Sequence, residues 1–420
     1  PVIVKLSVTV YVDLGLIFFS TASLLALIKW QQTLFSLKWL IISAVACGLA
    51  LSTKYNGLIT FFLISVFVLL IHMNAHKTLK GQIRSIGAAF CFLIVAISIF
   101  SPWLVKNYIW TGNPVYPLYD HLFASPSESE ITDDDAAPDM NHFLIRKHIY
   151  KESWIETLAI PVRIFFQGED DNPKLFDGKL HPLLFFLPLI AVILPGSPKN
   201  GSGTDQKILL VFSLLYILIV FFQQDMRIRW IGPAIPPLVI LSAYGLDAVL
   251  SALRSRRPSR TPGKSVIVCI VLVCILASSN LIYMYRLFNT IAPLPYISGQ
   301  ISRSEYIEQF RPEFTAIEFA NQALDDSTKI LAFFLGNRRY YSAHEIRFDY
   351  QTFQRLVHTS KSPEEIFARL KTDKVTTLLI NHNAFDTWVQ TAFGTGKDHQ
   401  RIQAFFNQHT RRLFSANGHG

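Results

Sequence analysis

Charge in this chain is sorted by side around long apolar runs, and that sorting leaves few folds open. Lys29 and Lys38, then Lys77, Lys80 and Arg84, then Arg254, Arg256, Arg257, Arg260 and Lys264 form basic groups with almost no acid among them. Asp133, Asp134, Asp135, Glu169, Asp170 and Asp171 fall in the segments between. Basic loops on one side of a series of hydrophobic stretches mark a multispanning membrane protein and set its orientation. Hydrophobic residues make up 50% of the 420, and mean hydropathy is +0.31, more apolar surface than a soluble domain tolerates.

The runs 58–73, 86–105, 209–222 and 266–285 approach or reach the ~20 residues that cross ~30 Å of hydrocarbon. With 8–28, 39–51, 180–194 and 231–250 the expected total is about eight spans. Lys38, Trp39, Lys54 and Lys179 flank the shorter ones and can anchor them at the interface. The net charge of +9 sits mostly on the basic loops, which points to membrane lipids as the partner and not to nucleic acid. Cys47, Cys91, Cys269 and Cys274 all lie inside apolar runs, where thiols behave as small hydrophobes. The chain opens on Pro1 and enters a hydrophobic run almost at once, with no readable signal peptide. The reading is of a fragment without its first spans, and 415–420 stops just after a strand-like run.

The expected fold class is mainly α: a polytopic transmembrane helical bundle followed by a C-terminal extracytoplasmic α/β domain. The transmembrane region covers 1–286 and includes an outer loop at 106–179; the outer domain covers 287–420. Within the loop, 125–141 is acidic and poor in apolar residues. In the piece 143–166, Trp154, Ile155, Leu158 and Val162 fall on one helical face, which reads as an interfacial helix ended near Pro161. The Gly-, Ser- and Pro-rich stretch 195–206 reads as a flexible inner loop. After residue 287 the pattern predicts a helix at 304–324 and strands at 329–335 and 374–381. Between the strands, Ser362-Pro363-Glu364-Glu365 carries three helix-start signals.

The unusual polar residues gather at the outer ends of the spans. Asp13 lies near the outer end of the first one, where an unpaired carboxylate costs ~2–3 kcal/mol; Tyr11 precedes it. Lys54, with Tyr55 and Asn56, occupies the short turn before the third span. Lys106 and Asn107 follow Ser101-Pro102-Trp103, with Asn113 and Tyr116 in the turn beyond. Arg227 and Arg229 sit in the turn 223–230, against the charge trend, and guanidinium groups there suit bidentate contact with a phosphate. Each cation also has a plainer reading as an interfacial anchor. Glu169, Asp170 and Asp171 with Asp177 could ligate a hard cation, so a divalent metal is kept open, although the spacing matches no calcium loop. His142 and His148 are too far apart for one helical turn, and Gly394-Thr395-Gly396-Lys397 lacks phosphate-loop spacing.

These phrases together resemble bacterial membrane glycosyltransferases of the GT-C superfamily, in the branch of protein O-mannosyltransferases and lipid A aminoarabinose transferases. The resemblance rests on Tyr11-Val12-Asp13-Leu14, Leu51-Ser52-Thr53-Lys54-Tyr55-Asn56-Gly57, Pro102-Trp103 through Gly112-Asn113-Pro114-Val115-Tyr116-Pro117, Phe176-Asp177-Gly178, and Arg229-Trp230-Ile231-Gly232-Pro233. It covers about the first 250 residues. It implies inverting transfer of a sugar from a polyprenyl-phosphate donor to an acceptor glycan, lipid or protein at the outer face of the bacterial cytoplasmic membrane. The family's principal acid belongs to a first outer loop, expected upstream of residue 1. Asp13 is similar to its second functional acid and is the catalytic candidate here. Lys54, Lys106, Arg227 and Arg229 are the donor-phosphate candidates, and Tyr11, Tyr55, Asn56, Asn107, Asn113, Tyr116 and Asp177 the cavity-lining ones. The competing class is a transporter or flippase of polyprenyl-linked glycans; internal repeats and mid-membrane broken helices would favour it, and the sequence shows neither.

Overall fold

A computed structural model describes residues 1–123, 141–194, 203–255, 264–394 and 396–420. The acidic triplet Asp133–135, most of the 195–206 loop, and Arg256, Arg257 and Arg260 lie outside the described residues. The chain divides into two compact units, Pro1–Leu287 and Phe288–Gly420.

The first unit is helical. After a short α1 (Val2–Ser7) come α2 (Asp13–Gln32), α3 (Leu37–Thr53), α4 (Gly57–Ala75) and α5 (Leu79–Thr111), then α6 (Leu183–Ile193), α7 (Gly203–Gln223), α8 (Ile235–Ser255) and α9 (Lys264–Ile291). Among the described residues, six stretches are long and apolar enough to cross a membrane, and α3 and α6 are two shorter apolar helices, so the expected eight resolve into six and two. The 11 residues of α6 rise only about 16 Å. The expected first span at 8–28 begins instead at Asp13. Val8, Thr9, Val10 and Val12 make a β-branched run that resists helix, whereas an acid suits a helix N-terminus.

Small and hydroxyl side chains set the close packing of the first helices. Ser23 and Ser43 hydroxyls meet at 3.2 Å between α2 and α3, and Ser20 meets Thr60 of α4 at 2.9 Å, all fully buried. Such pairs satisfy hydroxyls where no water reaches and let backbones approach. Leu24, Leu27, Trp30, Ala44, Ile64 and Phe212 fill the space around them.

The loop 141–180 is not one amphipathic helix. It is a turn His142–Leu144, a π-turn Ile145–Ile149, and two short helices, Trp154–Leu158 and Ile160–Arg163. Lys151 takes a left-handed conformation (φ +56°), and Ser153 with Glu156 forms a capping box that restarts the helix. Trp154, Ile155, Leu158 and Val162 do share exposure, forming an apolar outer face.

The second unit holds a parallel sheet in the order β2-β1-β3, from β1 (Lys329–Phe333), β2 (Glu345–Phe348) and β3 (Val375–Ile380). The helix expected at 304–324 is two, α10 (Arg303–Phe310) and α11 (Phe314–Ala323), because Pro312 cannot continue the first. Helices α12 (Tyr350–Thr359), α13 (Pro363–Thr372), α14 (His382–Phe393) and α15 (Lys397–His409) complete it. Ser362 caps α13 as its sequence predicts, accepting from Glu365 N–H. Strand side chains alternate between two cores. Leu331, Phe333 and Ile380 pack with α12–α15, while Ile330, Ala332 and Leu379 pack against Ala316, Ile317 and Ala320 of α11.

Candidate active site at the helix ends

Asp13 opens α2 with its carboxylate buried (1% exposed), and the Lys54 ammonium donates to it at 2.7 Å. Lys54 stands just past the C-terminus of α3, in an extended conformation that turns its side chain back across the helix pair. The carboxylate thus faces the positive end of α2 and the ammonium lies by the negative end of α3, each charge matched to its helix dipole. Lys54 keeps two N–H donors beyond the one given to Asp13, and its side chain is a quarter exposed.

The rest of the turn is tied down on three sides. The Tyr55 hydroxyl donates to the Tyr116 carbonyl at 2.6 Å, and Asn107 Nδ2 donates to the Tyr55 hydroxyl at 2.9 Å and to the Pro114 carbonyl at 3.3 Å. The Tyr216 hydroxyl of α7 donates to the Asn56 carbonyl. Asn113 is fully buried and organises its own loop, accepting from Val115 N–H and donating to the Leu118 carbonyl and Asp120. Its amide is spent inside the turn. Lys106 lies between the rings of Trp103 and Trp110, 4.5 and 4.3 Å from their centres, on the exposed side of α5.

Arg227 and Arg229 flank the entry to a 3-10 turn, Ile228–Ala234, that packs on the first turns of α2. The Arg229 guanidinium lies 4.4 Å over the Tyr11 ring, two residues before Asp13, which brings these charges to one end of the unit. Arg227 stacks on Trp230 at 5.3 Å and reaches Asp177 at 3.7 Å. The Nε–H of each arginine is buried without a protein hydrogen-bond partner.

The acids of loop 168–178 converge on Lys5, at 3.6 Å from Asp170, 3.0 Å from Asp171 and 3.5 Å from Asp177. Burial works against the Lys5 ammonium, but these three carboxylates together raise its pKa. Among the described residues no group of three His, Cys, Asp or Glu side chains stands ready to hold a metal.

Sequence reading missed Arg146, which is 1% exposed. Its Nε donates to Asp225 at 2.7 Å and its Nη atoms to the Lys174 carbonyl at 2.7 Å and the Pro173 carbonyl at 3.4 Å, with Glu152 at 3.5 Å. Tyr150 and Phe176 close over it. Burial pushes the Asp225 carboxyl up while the Arg146 charge beside it pulls it down. Arg146 therefore joins the loop bearing Asp177 to the turn bearing Arg227 and Arg229, across 79 positions of sequence.

Searches of curated proteins and of solved structures found no match. A family model described as dolichyl-phosphate-mannose-protein mannosyltransferase matches residues 2–111, the stretch that carries Asp13, Lys54 and Asn107. Residues 2–111 are thus similar to a domain of the GT-C membrane glycosyltransferases.

Proposed function

We propose that the protein moves a sugar from a polyprenyl-phosphate donor to an acceptor at the extracytoplasmic face of the bacterial cytoplasmic membrane, with inversion at the anomeric carbon. The observation that carries this reading is that one end of the first unit holds the buried Asp13–Lys54 pair and, in the 3-10 turn packed on α2, two half-buried arginines whose Nε–H donors are unmatched. When the bond from the anomeric carbon to the phosphate oxygen breaks, negative charge grows on the departing lipid phosphate. Lys54 and Arg229 are the cations suited to meet it, in a setting where fixed charges act more strongly than in water. Asp13 acts through Lys54: its carboxylate is enclosed, and it fixes where the ammonium points. Arg227, held to Asp177, has the same role farther out, and Tyr11 keeps the Arg229 plane in place. Lys106, between its two indoles, serves as an interfacial anchor on this reading. Tyr55, Asn107 and Tyr116 form the clasp that keeps the Lys54 turn from swinging away.

Transfer measured in membranes with a radiolabelled polyprenyl-phosphate sugar tests this. Arg229→Ala should lower the rate on the order of 10²-fold. Arg229→Lys should recover only part, since an ammonium restores charge without the planar fork. Asp13→Asn should raise the donor KM and leave the fold intact. Full activity in both Arg229→Ala and Asp13→Asn would overturn the assignment.

A further inference from the structure

The last turn of α9, Phe288–Ile291, belongs to the second unit, so that unit starts where a membrane-crossing helix ends. From Val266 to Ile291 the span has 26 residues, about 39 Å of helix. A bilayer counted with its headgroups is roughly 40–45 Å thick, which brings Ile291 out at headgroup level. Ala292 then stops the helix in a left-handed conformation (φ +43°, ψ +56°), its N–H donating to the Phe288 carbonyl at 2.8 Å. Pro293 opens a single helical turn, Pro293–Ile297, and Ser302 with Glu305 forms the capping box that starts α10.

Helix α10 is tied back to the end of the span. The Tyr306 hydroxyl donates to the Ile291 carbonyl at 2.7 Å, one of the carbonyls that a helix end leaves without an internal partner. The Tyr306 ring stacks on Tyr296 with centres 5.3 Å apart and meets Phe310 edge-on at 5.3 Å. These contacts gather the single turn and α10 around Ile291, and what they leave outside is apolar. Ile297 is 74% exposed, Leu294 59%, Tyr296 42% and Phe310 39%. Leu294 and Ile297, three apart, are neighbours on one face of their turn. Across 288–311 two basic residues, Arg303 and Arg311, are balanced by two acidic ones, Glu305 and Glu308, so the segment has no net charge.

We propose that residues 292–310 form an interfacial collar by which the second unit rests on the phospholipid bilayer. Leu294 and Ile297 enter the boundary between headgroups and acyl chains, and Tyr296 lies among the headgroups. The occupant follows from the span: Leu294 is three residues from Ile291, no more than about 11 Å of chain, and the headgroup layer is itself about 5–7 Å deep. Exposed apolar side chains clustered there meet lipid, and a tyrosine, with its apolar body and polar tip, suits that level. Because the collar carries no net charge, burial of apolar surface holds it, and zwitterionic phospholipid serves as well as anionic.

The test uses the full chain in phosphatidylcholine vesicles, its four cysteines replaced by alanine. A single new cysteine, Ile297→Cys or Leu294→Cys, carries an environment-sensitive fluorophore, and Lys371→Cys, exposed on α13, serves for comparison. Iodide in the water should quench the label at 371 and lose its effect at 297 and 294. A nitroxide on the acyl chain near the ester should quench 297 and 294. The pattern should stay the same in vesicles that also contain phosphatidylglycerol. Iodide quenching at 297 and 294 equal to that at 371 overturns the proposal. Shielding from iodide without nitroxide quenching also overturns it, because protein then covers the patch: a second copy if dilution into excess lipid removes the shielding, the same chain if it does not. A requirement for phosphatidylglycerol overturns the uncharged mode of contact.

Discussion

With its guanidinium set among two carboxylates, two carbonyls and two rings, Arg146 fixes the position of loops that share no sequence neighbourhood. Removing it strands Asp225, whereas Glu152 keeps Arg163 at 3.1 Å. Breaking one side of a buried pair costs about 3–5 kcal/mol, more than most single contacts contribute. Arg146→Ala should therefore lower the detergent-solubilised protein's Tm and speed exchange in 168–178, while Arg146→Ala with Asp225→Asn recovers part of the loss because fewer charges remain unpaired. Equal losses in the single and double variants would refute the pairing. Asp13 and Lys54 stand out in the sequence because a charge beside an apolar run is visible in one dimension. Arg146 does not: it sits among Lys147 and His148 in a polar stretch, and only a partner 79 positions away shows that it is buried. Asn113 was legible as a turn residue, but its sequence does not reveal that both ends of its amide are occupied within the turn.

Helices α6 and α8 cross so closely at Gly245 that a Cβ there would collide with the Leu187 carbonyl oxygen. Two effects oppose each other in Gly245→Ala. Helix propensity favours alanine by about 0.5–1 kcal/mol, whereas forcing atoms into a packed contact costs about 1–3 kcal/mol. The atom met is backbone and cannot swing aside, so the second effect wins and Tm should fall. A raised Tm would show that the crossing can open. At this scale the apolar runs gave the helices, while their starts depended on residues that hydropathy does not weigh. The β-branched stretch before Asp13 delays α2, and Pro312 divides α10 from α11. Strand β2 went unread because Glu345-Ile346-Arg347-Phe348 has one buried side chain and depends on β1 for its backbone bonds.

Across the whole chain, the proposed orientation rests on the sorting of charge between loops. A cysteine at Lys329 should react with an impermeant maleimide in intact cells, and one at Lys77 only after permeabilisation; external labelling at 77 would reverse the proposed orientation. The second unit carries its own acid sensitivity. Burial holds the His382 imidazole below its ordinary pKa, Arg412 and His419 add to that, and Asp386 opposes them. The folded state thus binds this proton less readily than the unfolded chain, so stability is full above the ordinary histidine value of about 6.5 and falls as pH drops below it. Trp388, in the second unit, reports that unfolding, and His382→Gln should flatten the acid slope. An unchanged slope would assign the sensitivity elsewhere.

Helix α5, with Pro102 inside it, runs 33 residues without a break. That is about 50 Å of rod in a hydrocarbon layer of about 30 Å, an excess of some 20 Å to be taken up by tilt or by turns standing clear of the lipid. Trp103, Lys106 and Trp110 form the kind of aromatic and basic cluster that anchors a span at an interface, and Asn107, on the same turn, grips the Tyr55 hydroxyl. The Lys54 turn therefore hangs from a post whose height is set by the lipid around it. A bilayer of different thickness would sink, raise or tilt that post, and acyl-chain length would then act on the Lys54 turn itself.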